Sequence, residues 1–432
     1  MTAAVATRFL GPTRGHTRPR LLPSGWPLIA LCSGMPVLYL LGIHAFMWAL
    51  PAIVFGASLI STRHVTVPAV AIPLVLLVGW IPLSALLLSP GEMPLFAYRY
   101  TLFASTLAVL LWVVNTSETE FSTARLVRLL GRLFITLIGF GYVAMLLPRF
   151  SAPSVFQMAA PRAIVDIPFV FDLTRIRFAE LQTLVTIDAP RPAAPMAYTN
   201  GWGSTVGLLA PFFFVDYLLS HDRRRRRRGL LIGAAAIVPI IVSVNRGLWL
   251  SLSVALAYVA IRRALAGDLR LLIGVLVAAA LVVNALLLTP LGTTVAERFQ
   301  DQEASNETRS SLYEAAFDYT KESPLVGWGA PIDVGLYRQV GSHGLLWYVM
   351  FVHGFPAVML LLAFTVFALA ATARAPTPTA LFAHISVVIF AIQLPYYGLL
   401  PQIVVTGLAI AVCWRERTRA RPGTEPGSVQ GP

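Results

Sequence analysis

The sequence predicts an all-α integral membrane protein with about twelve transmembrane helices and two long external loops. Of its 432 residues, 57% are hydrophobic and 12% are charged, and the mean hydropathy is +0.73. Soluble domains are about a quarter charged, so the solvent expected for this chain is lipid. Its two cysteines, Cys32 and Cys413, lie in apolar runs, which argues against a disulfide framework and a thiolate metal site.

Apolar segments recur along the whole chain, and charged residues, proline or polar residues bound each of them. A segment of about 20 such residues crosses the hydrocarbon core as a helix. The twelve predicted spans lie near residues 26–42, 45–60, 66–88, 96–114, 132–148, 203–220, 229–244, 247–261, 271–289, 343–372, 379–395 and 399–414. They form one predicted membrane domain, residues 26–414, between a basic cytoplasmic tail, residues 1–25, and a cytoplasmic tail expected to be disordered, residues 415–432.

Membrane topology explains the net charge of +13, which therefore gives no reason to expect a nucleic-acid partner. With the N-terminus in the cytoplasm, the cytoplasmic segments hold 22 of the 33 Arg and Lys residues but 7 of the 20 acidic residues. This distribution follows the positive-inside rule and predicts that both termini are cytoplasmic. The arginine tract at residues 223–228 is expected to lie at an anionic leaflet, and Asp216 is expected to pair with it.

Two external loops are long, at about residues 149–202 and 290–342, and the other connections are short. The first loop is rich in proline, and its apolar patch at residues 164–171 could lie along the lipid surface. The second loop is the most polar part of the chain, and residues 297–321 have helical spacing. On the cytoplasmic side, residues 117–132 have leucines opposite arginines, which predicts an interfacial helix.

The tenth predicted span is longer than a bilayer requires. About 30 residues at 1.5 Å per residue would reach about 45 Å, whereas the hydrocarbon core is about 30 Å thick. Gly354 and Pro356 offer a bend, because proline lacks the N–H that would bond to the carbonyl of Val352. Ordinary tilt is the alternative.

The seven histidines can be sorted by predicted topology. His353 and His384 lie within spans and are expected to bond to neighbouring helices. His44 and His343 are external, and only His343 belongs to the polar loop, where Gly341 and Gly344 would let a substrate approach the backbone. A neutral imidazole there could accept a proton from a sugar hydroxyl, with a purely structural role as the alternative.

Arg246 interrupts an apolar run and marks an external hairpin. Its planar guanidinium suits phosphate oxygens, although contact with lipid headgroups is an alternative. Arg298 and Arg309 add positive charge in the polar loop, where surface ion pairs could absorb them. Nucleotide and metal motifs are absent from the sequence, so we expect no cofactor and no metal. A donor outside the cell must arrive activated and anchored, as a lipid diphosphate would, with arginines rather than a metal as its holders.

The chain resembles the O-antigen ligase and polymerase superfamily, membrane glycan transferases of the C-type glycosyltransferase architecture. Residues 242–250 resemble its Ser-Arg-Gly-x-Trp hairpin, with Asn245 in place of Ser, and residues 309–316 and 323–329 resemble its Arg-x-x-x-Trp block and Pro-Leu-x-Gly-x-Gly turn. Residues 342–346 stand where the family has His-Asn-x-x-Leu, with Gly344 replacing Asn. Residues 353–356 occupy the place of its glycine-containing bend, and residues 198–201 the Asn-containing start of the sixth span.

The resemblance implies a metal-independent, inverting transfer in the bacterial plasma membrane. A glycan would move from a polyprenyl (undecaprenyl) diphosphate carrier to a hydroxyl of a glycan, lipid or protein acceptor on the external face. His343 would be the catalytic base, Arg246 and Arg309 would bind the diphosphate, and Arg298 would be a weaker companion. Ligase and polymerase remain alternatives within the superfamily. A twelve-span secondary transporter is the alternative outside it, although the first half has no counterpart of the second polar loop.

Overall fold

The computed structural model describes residues 22–184, 187–288, 303–333, 339–341 and 344–420. Over these residues the protein is predominantly α-helical. The helices are α1 (Trp26–Leu41), α2 (His44–Met47), α3 (Leu50–Ile60), α4 (Ile72–Trp80, between 3₁₀ turns Ala69–Ala71 and Ile81–Leu87), α5 (Met93–Asn115), α6 (Thr123–Leu146), α7 (Val155–Ala159), α8 (Arg162–Val165), α9 (Pro168–Thr174), α10 (Thr199–Phe213, continued by a π turn, Phe214–Leu218), α11 (Arg223–Val242), α12 (Arg246–Leu265), α13 (Arg270–Leu288), α14 (Glu303–Glu322), α15 (Leu345–Ala373), α16 (Pro378–Gln393) and α17 (Ile403–Arg419).

Short strands occur as antiparallel pairs in the two external loops of the predicted topology. They are β1 (Ser151–Ala152) with β2 (Ile176–Arg177), β3 (Ala179–Leu184) with β4 (Ile187–Pro192), and β5 (Ile332–Asp333) with β6 (Gln339–Val340). The largest pair, β3 and β4, is a hairpin that begins with Ala179 opposite Pro192 and ends with Leu184 opposite Ile187.

Each of the twelve predicted spans coincides with a helix or a pair of consecutive helices. Among the described residues, five helical segments are long and apolar enough to cross a membrane: Ala69–Leu87, Met93–Asn115, Thr123–Leu146, Arg246–Leu265 and Leu345–Ala373. Shorter apolar helices lie at Trp26–Leu41, His44–Ile60, Arg270–Leu281 and Pro378–Gln393. The prediction of an α-helical membrane protein is confirmed, and the number of twelve crossings stays a prediction.

The predicted interfacial helix at residues 117–132 is wrong as a separate element. One helix, α6, contains most of this segment and the fifth predicted span, and the Ser122 hydroxyl caps its start by accepting from Arg125 N at 3.2 Å. Its leucine face is buried, since Leu126 is 0% exposed and Leu130 is 1% exposed. The amphipathic pattern therefore reflects packing inside the helical bundle, where a lipid surface had been expected.

The bend predicted in the tenth span is confirmed at Gly354. This residue has φ +82° and ψ 177°, which breaks the helical geometry within α15. The break leaves backbone groups of α15 without partners in the helix, and the turn at residues 323–329 supplies their hydrogen bonds. Gly329 N donates to Val352 O at 3.0 Å, and Phe355 N donates to Pro324 O at 2.8 Å. A Cβ at position 354 would lie 2.4 Å from Leu325 O, so glycine is required there both by φ and by space.

Two ends of the bundle can be distinguished from contacts between helices. At one end, α12 and α15 both begin near Tyr397, which bonds to Gly247 and Leu345. At the other end both helices finish close together: Arg262, in the last turn of α12, donates through Nη1 to the carbonyl oxygen of Ala373, the last residue of α15, at 2.9 Å. We name these the Arg246 end and the Arg415 end, since Arg415 lies at the end of α17, whose Arg417 also reaches the end of α15.

Candidate functional site

The four predicted site residues are described to different extents. Arg246 is the first residue of α12 and its side chain is partly buried. Arg309 lies on α14, where the structure describes its backbone only. His343 and Arg298 lie outside the described residues. Arg246, α14 and the residues that follow position 343 therefore form the described part of the candidate site.

Asn245 fixes the turn that presents Arg246. Its Oδ1 accepts from Leu248 N at 3.0 Å and so caps α12, while its Nδ2 donates to Thr199 O at 3.2 Å. Asn245 is 1% exposed, and Val244 before it has φ +48°, a left-handed conformation that few valines adopt. The residue that replaces the family's serine thus caps the helix and also ties it to the start of α10.

Arg246 lies at the N-terminus of a 20-residue helix, which adds the positive end of the helix dipole to its own charge. Within the described part of the chain, its guanidinium has no ion-pair or hydrogen-bond partner. A helix N-terminus with an unpaired guanidinium suits an anionic group such as a phosphate.

Tyr397 connects the Arg246 turn to the helix that follows position 343. Its phenol oxygen accepts from Gly247 N at 3.0 Å and donates to Asn245 Oδ1, while its carbonyl accepts from Leu345 N at 2.7 Å. A Cβ on Gly247 would lie 2.2 Å from that phenol oxygen, so glycine permits the contact. One residue therefore binds the starts of both α12 and α15.

Helix α14 packs beside the same first turns of α15. The Tyr313 ring stacks on the Trp347 ring with centroids 4.5 Å apart and an interplanar angle of 11°. Leu312 and Ala316 are buried, as expected from the helical spacing of this segment. Arg309 precedes Tyr313 by one helical turn, so its backbone belongs to the part of α14 nearest to that stack.

Two residues at this end, Tyr397 and Arg99, were not predicted from the sequence. Tyr397 lies in a break between two predicted spans, and this break is the signal that could have drawn attention to it. Arg99 lies within the fourth predicted span, and its guanidinium stands 4.9 Å from the centroid of the Tyr348 ring, in the first turn of α15. A charged residue inside a predicted span was the available signal for Arg99.

Tyr198, just before α10, adds a neutral polar group. Burial and then the carboxylate of Asp172 raise the pKa of the Tyr198 phenol, which therefore stays protonated at neutral pH. Asp172 in turn lies 3.9 Å from Arg177. Among the described residues, no group of three or more His, Cys, Asp or Glu side chains is placed to hold a metal ion.

The two histidines assigned to spans have the predicted structural roles. His353 Nδ1 bonds to Ser84 Oγ at 3.0 Å. His384 bonds through Nε2 to Tyr258 Oη at 2.8 Å and through Nδ1 to Thr372 Oγ1 at 2.7 Å. Asp216 also behaves as predicted, since it pairs with Arg225 of the arginine tract at 2.5 Å.

Comparison with known proteins identifies one family. The sequence profile of the O-antigen ligase family matches residues 229–362, about a third of the chain. A search of curated proteins found no match. The matched region runs from α11 into α15 and includes Arg246, Arg298, Arg309 and His343. It therefore confirms the resemblance seen in the motifs: over these residues the chain is similar to the O-antigen ligases, a family of membrane proteins that transfer glycans.

Proposed function

We propose that the protein is a metal-independent, inverting glycosyltransferase that moves a polyprenyl-diphosphate-linked glycan to an acceptor hydroxyl. The acceptor is a glycan, a lipid or a protein, as in an O-antigen ligase or polymerase. The reaction takes place at the external face of the bacterial plasma membrane. The observation that carries the proposal is the Tyr397 junction, which holds the Arg246 turn and the residues directly after position 343 together.

In this reaction the acceptor oxygen attacks the anomeric carbon of the donor sugar, and the bond from that carbon to the diphosphate oxygen breaks. His343 takes the proton of the acceptor hydroxyl. Arg246 and Arg309, with Arg298 as a companion, bind the departing diphosphate and neutralise its charge. The position of the Arg246 guanidinium at a helix N-terminus, without a partner in the described part of the chain, supports the first of these assignments.

The proposed orientation places the Arg246 end outside the cell and the Arg415 end in the cytoplasm. The Arg415 end carries Arg225, Arg262, Arg415 and Arg417, all of which contact neighbouring chain segments there. Their concentration at one end supports a cytoplasmic location for it, and for both termini, by the positive-inside rule.

The test is transfer in vesicles that contain the purified protein, a lipid-linked glycan donor and an acceptor. His343→Ala is expected to lower the rate by roughly a hundredfold or more, because general-base catalysis contributes about that much. His221→Ala, an exposed histidine just before the arginine tract, is the matched control and should transfer normally. Undiminished transfer by His343→Ala would remove His343 from the mechanism. Accumulation of a labelled solute, unaffected by the same substitution, would instead support a secondary transporter.

A further inference from the structure

A separate cavity of about 260 Å³ lies at the Arg246 end. It opens between the first turns of α5, the start of α10 and the turn before α17, and Arg246 is not among its lining residues. Its volume is slightly below the roughly 300–1,000 Å³ of common small-molecule sites, so it suits one compact group. The lining residues that matter chemically are His44, Trp48, Tyr98, Arg99, Phe169 and Asp172.

Two polar groups on this lining have no hydrogen-bond partner in the described structure. Trp48 Nε1 and His44 Nδ1 are buried and meet no partner at hydrogen-bond geometry, while the Pro195 backbone interacts with the His44 imidazole, and the two residues are 1% and 4% exposed. Buried polar groups are nearly always paired, and an unpaired one destabilises the protein. His44 and Trp48 are one helical turn apart in sequence and line the same cavity, so one ligand could satisfy both.

The other wall residues define the chemistry of that ligand. Arg99 can only donate hydrogen bonds and has no carboxylate within ion-pair distance among the described residues, whereas the Asp172 carboxylate can only accept. The Tyr98 and Phe169 rings add apolar faces, with centroids 6.2 Å apart and planes within 21° of parallel. Donors, an acceptor and aromatic faces together match a molecule with several hydroxyls on a ring that has an apolar face.

We propose that this cavity binds one sugar ring of a glycan. Arg99 links it to the transfer site, because its guanidinium lies over Tyr348 in the first turn of α15, close after position 343. The further statement that the bound sugar belongs to a substrate rests on the proposed transfer function. The donor in that reaction carries a glycan and one of the acceptor classes is a glycan, so transfer kinetics with each substrate distinguish the two sources of the sugar.

Binding is measured first, with the full-length protein in nanodiscs. The probe is the water-soluble oligosaccharide released by mild acid from the surface glycan of the cells that make the protein. Trp48→Phe removes the unpaired N–H together with part of the buried indole, so its melting temperature is measured beside binding, and weaker binding by a variant that is still folded reports a lost contact with the ligand. We expect Trp48→Phe and Arg99→Ala each to weaken binding roughly tenfold. Trp26→Phe and Arg125→Ala, a tryptophan outside the cavity and an arginine over the Phe121 ring, are matched controls that should bind normally.

Transfer kinetics then locate the sugar. A raised KM for the lipid-linked donor in Trp48→Phe assigns the cavity to the donor glycan, and a raised KM for the acceptor assigns it to the acceptor. Binding of the oligosaccharide to Trp48→Phe and Arg99→Ala with wild-type affinity would overturn the proposal. Wild-type protein that binds the oligosaccharide through these residues but transfers no glycan would contradict the proposed function and leave the sugar site standing.

Discussion

Arg415 and Arg246 lie at opposite ends of the bundle and have opposite surroundings. The Arg415 guanidinium is 6% exposed and donates to the carbonyl oxygens of Val113, Thr116 and Phe121, with Glu118 3.4 Å away. The Arg246 guanidinium has no such partner among the described residues. The difference separates an arginine that holds helices together from one that is available to a ligand, although hydropathy alone would treat both as charges at the end of a span.

The largest expected effect is on Arg246. Arg246→Ala should lower transfer by roughly 100- to 1,000-fold, as losing one donor to a developing anion does in other enzymes. Folding should be unaffected, because the guanidinium has no partner to lose among the residues that the structure describes. Arg246→Lys should recover part of the rate, since an ammonium keeps the charge but not the planar fork. Rates in vesicles and melting temperatures in detergent check both statements, and a normal rate for Arg246→Ala would show that this guanidinium is not needed for transfer.

Arg415→Met should show the reverse pattern. The Glu118 partner is partly exposed, but three carbonyl groups lose their buried donor, and each such loss costs about 1–3 kcal/mol. We expect a large loss of thermal stability, with a normal transfer rate per folded molecule. Arg374→Met, at an exposed arginine just after α15, is the control and should melt near the wild-type temperature. An Arg415→Met protein as stable as wild type would show that the contacts of Arg415 contribute little.

Tyr397→Phe tests the junction between α12 and α15 with a smaller change. The substitution keeps the ring and removes the hydroxyl that bonds to Gly247 and Asn245. A lost buried hydrogen bond costs about 1–3 kcal/mol. Transfer should fall by roughly tenfold through misplacement of Arg246, whereas Tyr396→Phe, at an exposed neighbouring ring, should be silent. Equal rates for Tyr397→Phe and Tyr396→Phe would mean that the junction does not position Arg246.

The smallest effect is a pH dependence at the Arg415 end. Burial would raise the pKa of Glu118, but hydrogen bonds from Thr123 and the charges of Arg415 and Arg419 outweigh it and lower this pKa below its ordinary value of 4.5. Stability from Glu118 is therefore fully present above pH 4.5 and is lost as the pH falls through the lowered pKa. Melting temperatures between pH 6 and pH 3 should fall less for Glu118→Gln than for wild type. Parallel curves for the two proteins would rule out this contribution.

The helices were predictable from sequence because bilayer thickness and the need to pair backbone groups set the length and hydropathy of a span. The bend at Gly354 was predictable for the same local reason, since a proline and a glycine stand two residues apart. The environment of an amphipathic segment was not predictable, and α6 shows why: a leucine face can meet lipid or another helix with the same spacing.

The candidate site likewise contains some residues that could be predicted from the sequence and others that could not. Arg246 could be found because a charge interrupts an apolar run, and the family motifs named His343 and Arg309. Tyr397 and Arg99 could not be assigned, because their roles depend on contacts with Gly247 and Tyr348, which are distant in sequence. The double role of Asn245 as helix cap and tether to Thr199 likewise appears only when α10 and α12 are packed together.

The proposed mechanism requires that one imidazole and separate guanidinium groups meet around a lipid diphosphate at the Arg246 end. A density map of the full-length protein with a polyprenyl-diphosphate-linked glycan bound tests it most directly. We expect the diphosphate between Arg246 and Arg309, with the His343 imidazole facing the anomeric carbon. A diphosphate bound at the Arg415 end, or a His343 side chain out of reach of Arg246, would contradict the account.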